Sequence, residues 1–285
     1  MPDDKERLAQ QIFEAKWIAN GFPKSGTHLL VRTLLPIAPL ASPTEAGYFK
    51  QPWAGTFKDN SWSLRRQPIK QTTFRIGRVG NGKMIKAHIG YDNEIANFID
   101  HLGAMHILIY RDLRDVAVSQ AYHILNAEDS DHLEHPHPEA YDRENFDELL
   151  LQVITGHSDY PGLIERWEAF APWLDDPWTY CVKFEDMIAE PHLWTKRIWS
   201  QAMHKMGQRF GVNISFDPDG ANTVVELMVY SAKQRQLSPT FRKGVSGEWR
   251  QEFTERHIQM FNERGGAEWL IKLGYERDHQ WMTKT

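Results

Sequence analysis

Four short apolar runs, at 17–22, 82–89, 106–110 and 178–184, are each ended by turn-forming or charged residues. Brief, bounded runs of this kind read as strands with little exposed face. The first run gives way to a turn at Pro23 and Gly26 and then to helical spacing over 27–36, ended by Pro36. The third, HILIY, leads directly into RDLRDVAVSQAY, which becomes helical after about Asp112. Strand, short charged turn and helix thus occur twice, as expected for a parallel sheet with crossover helices. Further helices are expected over 3–14, over 93–102 behind Asp92 as its cap, around 146–157 and 161–170, over about 193–210 and 222–234, and from near Glu248. The run at 178–184 closes on Glu185 and Asp186 at the start of a helix.

Two stretches break the periodicity. Residues 39–75 hold Tyr48, Phe49, Trp53, Phe57 and Trp62 among Gly, Pro and Ser, and exposed aromatics of this kind are covered by the core or by a ligand. Residues 127–145 are polar and acidic and read as a surface loop or lid. Their His132, His135 and His137 lack a helical ligand spacing such as HExxH, so no metal site is expected. No internal repeat appears, and a single α/β domain over 1–285 is the organisation expected.

Composition narrows the function classes. The 285 residues are 25% charged and 41% hydrophobic, as in ordinary globular proteins, with a formal net charge of -5. That charge gives no diffuse attraction to nucleic acid or to acidic membrane, so any polyanion must meet a local cluster of positive charge. Cys181 is the sole cysteine and lies in an apolar run, which excludes an internal disulfide and a thiolate-rich metal site and favours an inert buried thiol. With no signal-like leader and no stretch near the ~20 apolar residues of a membrane helix, a cytoplasmic location is expected.

Chemistry is concentrated in loops. FPKSGT, 22–27, points backbone N–H groups and a helix N-terminus into one small volume, with Lys24 adding charge and Ser25 and Thr27 hydroxyls. Such an arrangement suits an anion, and phosphate above all. It is not the Walker A pattern. Arg111 with Ser119 follows the HILIY run, and Arg242, Lys243 and Gly244 form a basic turn near the C-terminus. In an open parallel sheet, loops at the carboxyl ends of strands meet in one crevice, which Lys86 and His88 could also enter. The rival readings are local: Arg111 paired with Asp112 or Asp115, and His88 as a satisfied histidine at a strand end.

With these residues in hand, the chain resembles the cytosolic branch of the sulfotransferases that use 3'-phosphoadenosine 5'-phosphosulfate (PAPS). FPKSGT is similar to that family's 5'-phosphosulfate loop, YRDLRDVAVS to its 3'-phosphate motif, FRKGVSGEW to its late 3'-phosphate loop, and IKAHI to the strand end that carries the catalytic histidine. The resemblance implies a phosphosulfate-binding P-loop-like fold. In it Lys24, Ser25, Gly26, Thr27, Arg111, Ser119, Arg242, Lys243 and Gly244 hold the donor, with Phe184 and Tyr230 near the adenine. It further implies His88 as the base, Lys24 and Lys86 as charge stabilisers, and Ser119 as a brake on Lys24. No metal is required.

Three departures qualify it. His28 and Leu29 stand where the family commonly has Thr and an adenine-stacking Trp; His28 could bind phosphate, cap locally or fill space. The stretch after Trp249 lacks the family's usual dimer contact, leaving the oligomeric state open. The acceptor is expected to be a small hydroxylated, hydrophobic or aromatic molecule, with Tyr91, Tyr141 and Phe146 among candidate wall residues. A carbohydrate, held by Arg65, Arg66 and Lys70, is the alternative within the family. A P-loop small-molecule kinase and a nucleotide-binding protein without turnover are the alternatives outside it.

Overall fold

The computed structural model describes residues 14–41, 69–126, 142–157, 160–210, 218–234 and 243–283. The expected lead-in helix, most of the aromatic and acidic loops, and Arg242 lie outside these residues. The first apolar run forms β1 (Trp17–Gly21), followed by α1 (Thr27–Leu34). Then come α2 (Ile69–Arg78), β2 (Met84–Ala87), α3 (Asn93–Leu102), β3 (Met105–Tyr110) and α4 (Leu113–Leu125). After α5 (Phe146–Thr155), two-residue strands β4 (Gly156–His157) and β5 (Tyr160–Pro161) make a small antiparallel hairpin. The chain continues through α6 (Leu163–Glu168), β6 (Thr179–Lys183), α7 (Phe184–Ala189), α8 (Pro191–Phe210) and α9 (Pro218–Lys233). It closes with α10 (Trp249–Glu252), α11 (Glu255–Glu263) and α12 (Gly266–Lys272).

The main sheet is parallel throughout, in the order β2-β1-β3-β6. Side chains alternate between its faces. Ile18, Ile85 and Leu108 pack with Ile76 of α2, Ile99 of α3 and Val116 of α4. Trp17, Met84 and Ile107 pack on the other face with Leu30 of α1, Ile198 of α8 and Met228 of α9. Both faces are covered by helices, which is why the central strands β1 and β3 carry apolar runs without a polar alternation.

The order also places the site. From β1 the chain goes to β2 on one side and then returns to β3 on the other, so the carboxyl ends of β1 and β3 flank the point where the winding reverses. Crevices in open α/β sheets form at such a point. The loops following β1 and β3 are the two basic segments singled out from the sequence.

Several boundaries differ from expectation for local reasons. The helix expected over 161–170 stops at Glu168 and is succeeded by a 3-10 turn, Ala171–Leu174, with Pro172 in its first turn. Proline has no N–H to continue an α-helix but fits the first turn of a new one. For the same reason α8 begins at Pro191, ahead of the expected start near 193. Asp92 caps α3 as expected, accepting the Glu94 N–H at 2.9 Å.

Cys181 lies in β6 with its Sγ 3.5 Å from the Trp173 carbonyl, and burial pushes its thiol up to about 12. The thiolate is the reactive form. Labelling by an aromatic disulfide reagent at pH 8 is therefore expected to be about a hundredfold or more slower in the native protein than in urea. Comparable rates in the two states would show that the thiol is not held in this environment.

Candidate functional site

The turn after β1 is built around two left-handed residues, Lys24 (φ 67) and Gly26 (φ 99). A side chain at Gly26 would be strained by its φ and would also run into the Phe184 ring, 2.5 Å from the position of a Cβ. Glycine is therefore required here by conformation and by space. The Ser25 N–H returns to the Phe22 carbonyl at 3.0 Å, closing the turn. The loop then enters α1, whose first-turn N–H groups have no acceptor within the helix. Ser25 and Thr27 are buried, and neither Ser25 Oγ nor Thr27 Oγ1 has a hydrogen-bond partner among the described residues. Two buried hydroxyls left unsatisfied beside a helix N-terminus make a place that lacks oxygens.

Arg111 crosses from the end of β3 to this loop. It is 6% exposed, its guanidinium stacks on the Phe184 ring at 4.7 Å, and it donates to the Lys24 carbonyl at 3.5 Å and to the Val245 carbonyl at 2.7 Å. Its Nε is buried with no hydrogen-bond partner among the described residues. The rival ion-pair reading of Arg111 holds in part, because Asp115 lies 3.6 Å away. Asp112 instead pairs with Arg114 at 2.7 Å.

Asp115 does more than neutralise Arg111. It accepts the N–H groups of Gly247 at 2.7 Å and Trp249 at 3.0 Å and so ties the late loop to α4. Burial raises its pKa, opposed by the Arg111 charge and by these two hydrogen bonds. Nearby, the Arg114 guanidinium lies over Trp249 at 3.7 Å and Trp281 at 4.6 Å and pairs with Glu276 at 2.7 Å, which anchors the loop from below. Within the loop Gly244 is left-handed (φ 64), and Lys243 donates to the buried Glu248 at 2.7 Å. Arg242, the other basic residue expected there, lies outside the described residues.

His88 follows the end of β2 and is buried, with Nδ1 2.5 Å from the Gly21 carbonyl. A carbonyl oxygen can only accept, so Nδ1 carries the hydrogen and Nε2 is the acceptor nitrogen of the ring. Lys86, two residues earlier on β2 and half-buried, has Nζ 3.1 Å from His28 Nε2. The ammonium can only donate, so His28 Nε2 accepts. His28 thereby links the first loop to the end of β2, a contact that none of its three sequence readings included.

The remaining expected site residues lie on other elements. Ser119 lies one helical turn beyond Asp115 on α4, and residues four apart share a helix face. Phe184 is only 4% exposed beneath Gly26 and Arg111, where it shapes the loop, whereas Tyr230 on α9 is 67% exposed. Tyr91 packs on Trp173 at 4.9 Å and Phe146 on Tyr122 at 4.6 Å, so both have packing partners; Tyr141 lies outside the described residues. Among the described residues no group of three or more His, Cys, Asp or Glu could hold a metal ion. Nor is any helix long and apolar enough to cross a membrane.

Two structural contributors were absent from the sequence reading. Asn20 is a fully buried polar residue inside the first apolar run, and Glu248 is the buried partner of Lys243. Asn20 had a visible signal in its polar amide within a run otherwise suited to a buried strand.

The chain is similar to known proteins in sequence and in fold. Sulfotransferase 6B1 of Danio rerio is 22% identical over 187 residues, covering 64% of this chain. The match spans 57% of that relative's length. Among solved structures, mouse sulfotransferase SULT7A1 complexed with PAP superposes with a TM-score of 0.52 at 17% identity, covering 91% of this chain and 86% of that one. Retinol dehydratase in a complex with retinol and PAP gives a TM-score of 0.51 at 12% identity, covering 91% and 85%. At these identities the superpositions establish a shared fold. The family model for the sulfotransferase domain matches residues 15–274, nearly the whole described chain, and the protein belongs to that family.

Proposed function

We propose that the protein transfers the sulfuryl group of PAPS to a hydroxyl of a small, hydrophobic or aromatic acceptor. The observation that supports this most is the grouping of Ser25 Oγ, Thr27 Oγ1 and Arg111 Nε, buried polar atoms without hydrogen-bond partners among the described residues, around a loop and helix N-terminus at the reversal point of the sheet. Phosphate oxygens supply the acceptors that these groups lack. PAP, the nucleotide named with SULT7A1 and with retinol dehydratase, carries phosphates at two positions, matching the loops after β1 and β3.

The donor supplies an activated SO3 group. The acceptor oxygen attacks sulfur in line, the bond from sulfur to the bridging oxygen breaks, and the 5'-phosphate leaves. Negative charge then builds on the bridging oxygen, where Lys24 and the α1 N-terminus stabilise it. The acceptor's proton goes to His88 Nε2, the lone-pair nitrogen left by the Nδ1–H bond to Gly21. Lys86 supplies positive charge beside the transferred group, and its bond to His28 fixes the ammonium at the mouth of the first loop. Ser119 holds Lys24 back from the donor until an acceptor is present. Lysine and arginine thus serve the electrostatic role that a divalent ion has in phosphoryl transfer, so EDTA leaves the reaction intact.

A panel of phenols, sterols, aliphatic alcohols and oligosaccharides, incubated with PAPS in EDTA, tests the acceptor class through release of PAP. Faster release with a phenol or hydrophobic alcohol than with any sugar is expected. Release with oligosaccharides alone would move the assignment to carbohydrate sulfation, and an absolute need for Mg²⁺ would remove the mechanism.

A further inference from the structure

β1 pairs with β2 only as far as Asn20 opposite Ala87. Beyond Ala87 the second strand leaves the ladder, and the residue carrying the proposed proton acceptor is the next one. Asn20 spans the gap with its side chain. Its Oδ1 accepts the Ile89 N–H at 2.8 Å and its own neighbour's N–H, that of Gly21, at 3.0 Å. Its Nδ2 donates to the Ile89 carbonyl at 2.9 Å. The amide has one acceptor oxygen and one donor group, and so stands in for a ladder residue toward the departing strand. The Ile89 carbonyl also accepts the Trp173 indole N–H at 2.9 Å, which uses its second lone pair.

His88 is therefore fixed from three sides. Ala87 before it is in the sheet, Ile89 after it is held by Asn20 and Trp173, and its own Nδ1 is bound to the Gly21 carbonyl. Gly21, in turn, is the residue whose N–H the Asn20 oxygen accepts, so one buried amide constrains both ends of the His88–Gly21 bond. Asn20 is fully buried, and its amide is hydrogen-bonded through both oxygen and nitrogen, so removing it would leave the Ile89 and Gly21 backbone groups without these partners.

We propose that Asn20 is a positioning residue for His88, fixing its backbone and, through Gly21, the tautomer that leaves Nε2 as the acceptor nitrogen. The proposal rests on the reading of His88 as the proton acceptor, but its test does not need an acceptor substrate. Imidazole nitrogen shifts are measured for wild type, Asn20→Ala and Asn20→Asp, with the His88 signals identified by their loss in His88→Ala. Calorimetry with PAP is run on the same samples.

Wild type is expected to show His88 as a single Nδ1–H tautomer. Asn20→Ala should shift its ring nitrogens toward the average of two tautomers while PAP affinity changes less than about twofold. Asn20→Asp keeps an oxygen for both N–H groups but sets a second carboxyl oxygen against the Ile89 carbonyl, where it repels unless protonated, so a smaller shift in the same direction is expected. Unchanged His88 tautomer in Asn20→Asp and Asn20→Ala, whatever their melting temperatures, would overturn the proposal and leave Asn20 a structural amide. Failure of wild type to bind PAP would remove the donor reading instead, and the tautomer measurement would still report on Asn20.

Discussion

Arg111→Ala is expected to weaken PAP binding by about 2–4 kcal/mol, some thirtyfold to a thousandfold, the largest effect of any single substitution in the site. Arg111 connects every part of the proposed nucleotide pocket. It donates to the carbonyls of Lys24 in the first loop and Val245 in the late loop, stacks on Phe184, and neutralises Asp115. Its removal deletes a charge-assisted donor and leaves Asp115 buried without its cation. Asp115 already has a pKa raised by burial, and without Arg111 it takes up a proton at still higher pH. Thermal stability should fall as well, by about 3 kcal/mol, as when one partner of a buried ion pair is removed. Arg111→Lys separates the two losses, because it keeps the charge but not the planar fork that reaches two carbonyls. Calorimetry beside a melting curve measures both. Unchanged PAP affinity in Arg111→Ala would mean that the nucleotide binds elsewhere.

His88→Ala is expected to lower kcat by about 10²–10⁴ with the donor affinity nearly unchanged. The ring Nδ1 is bound to the Gly21 carbonyl, and Nε2 is the nitrogen that the proposed mechanism assigns to the acceptor's proton. The contrast with Arg111 is the informative part. One substitution should act on binding and the other on the rate, although both residues follow the carboxyl ends of strands, β2 and β3, that flank β1 in the same sheet. A parallel loss of PAP affinity in His88→Ala would show that the histidine contacts the nucleotide rather than the acceptor. Equal rates in the two proteins would exclude it as the base.

Much of this arrangement could be read from the chain because its strands are buried on both faces. A run such as HILIY has few other assignments, and the turns that follow β1 and β3 advertise their chemistry through Lys24 and Arg111. Parallel pairing then follows from strand–helix alternation, and convergence of the loops from the winding of the sheet. Cross-chain partners were not legible in the same way. Asp115 is four residues from Arg111 in sequence, yet its hydrogen bonds to Gly247 and Trp249 join segments more than a hundred residues apart. His28 and Lys86 carry no mutual signal, since their contact depends on the register that places Ala19 beside Lys86. Asn20 could be noticed as polar but not explained, because its bonds appear only once β2 is known to leave the ladder after Ala87. Phe184 illustrates a further limit. The family resemblance implies an aromatic near the adenine at this position, but only packing shows it lying beneath Gly26 and Arg111.

The most direct measurement is calorimetry of PAP with the wild-type protein in EDTA. The account predicts one site per chain, binding without metal, and affinity falling with added salt as the phosphates compete with screened Arg and Lys charges. Absence of PAP binding, with ATP bound only when Mg²⁺ is present, would contradict it.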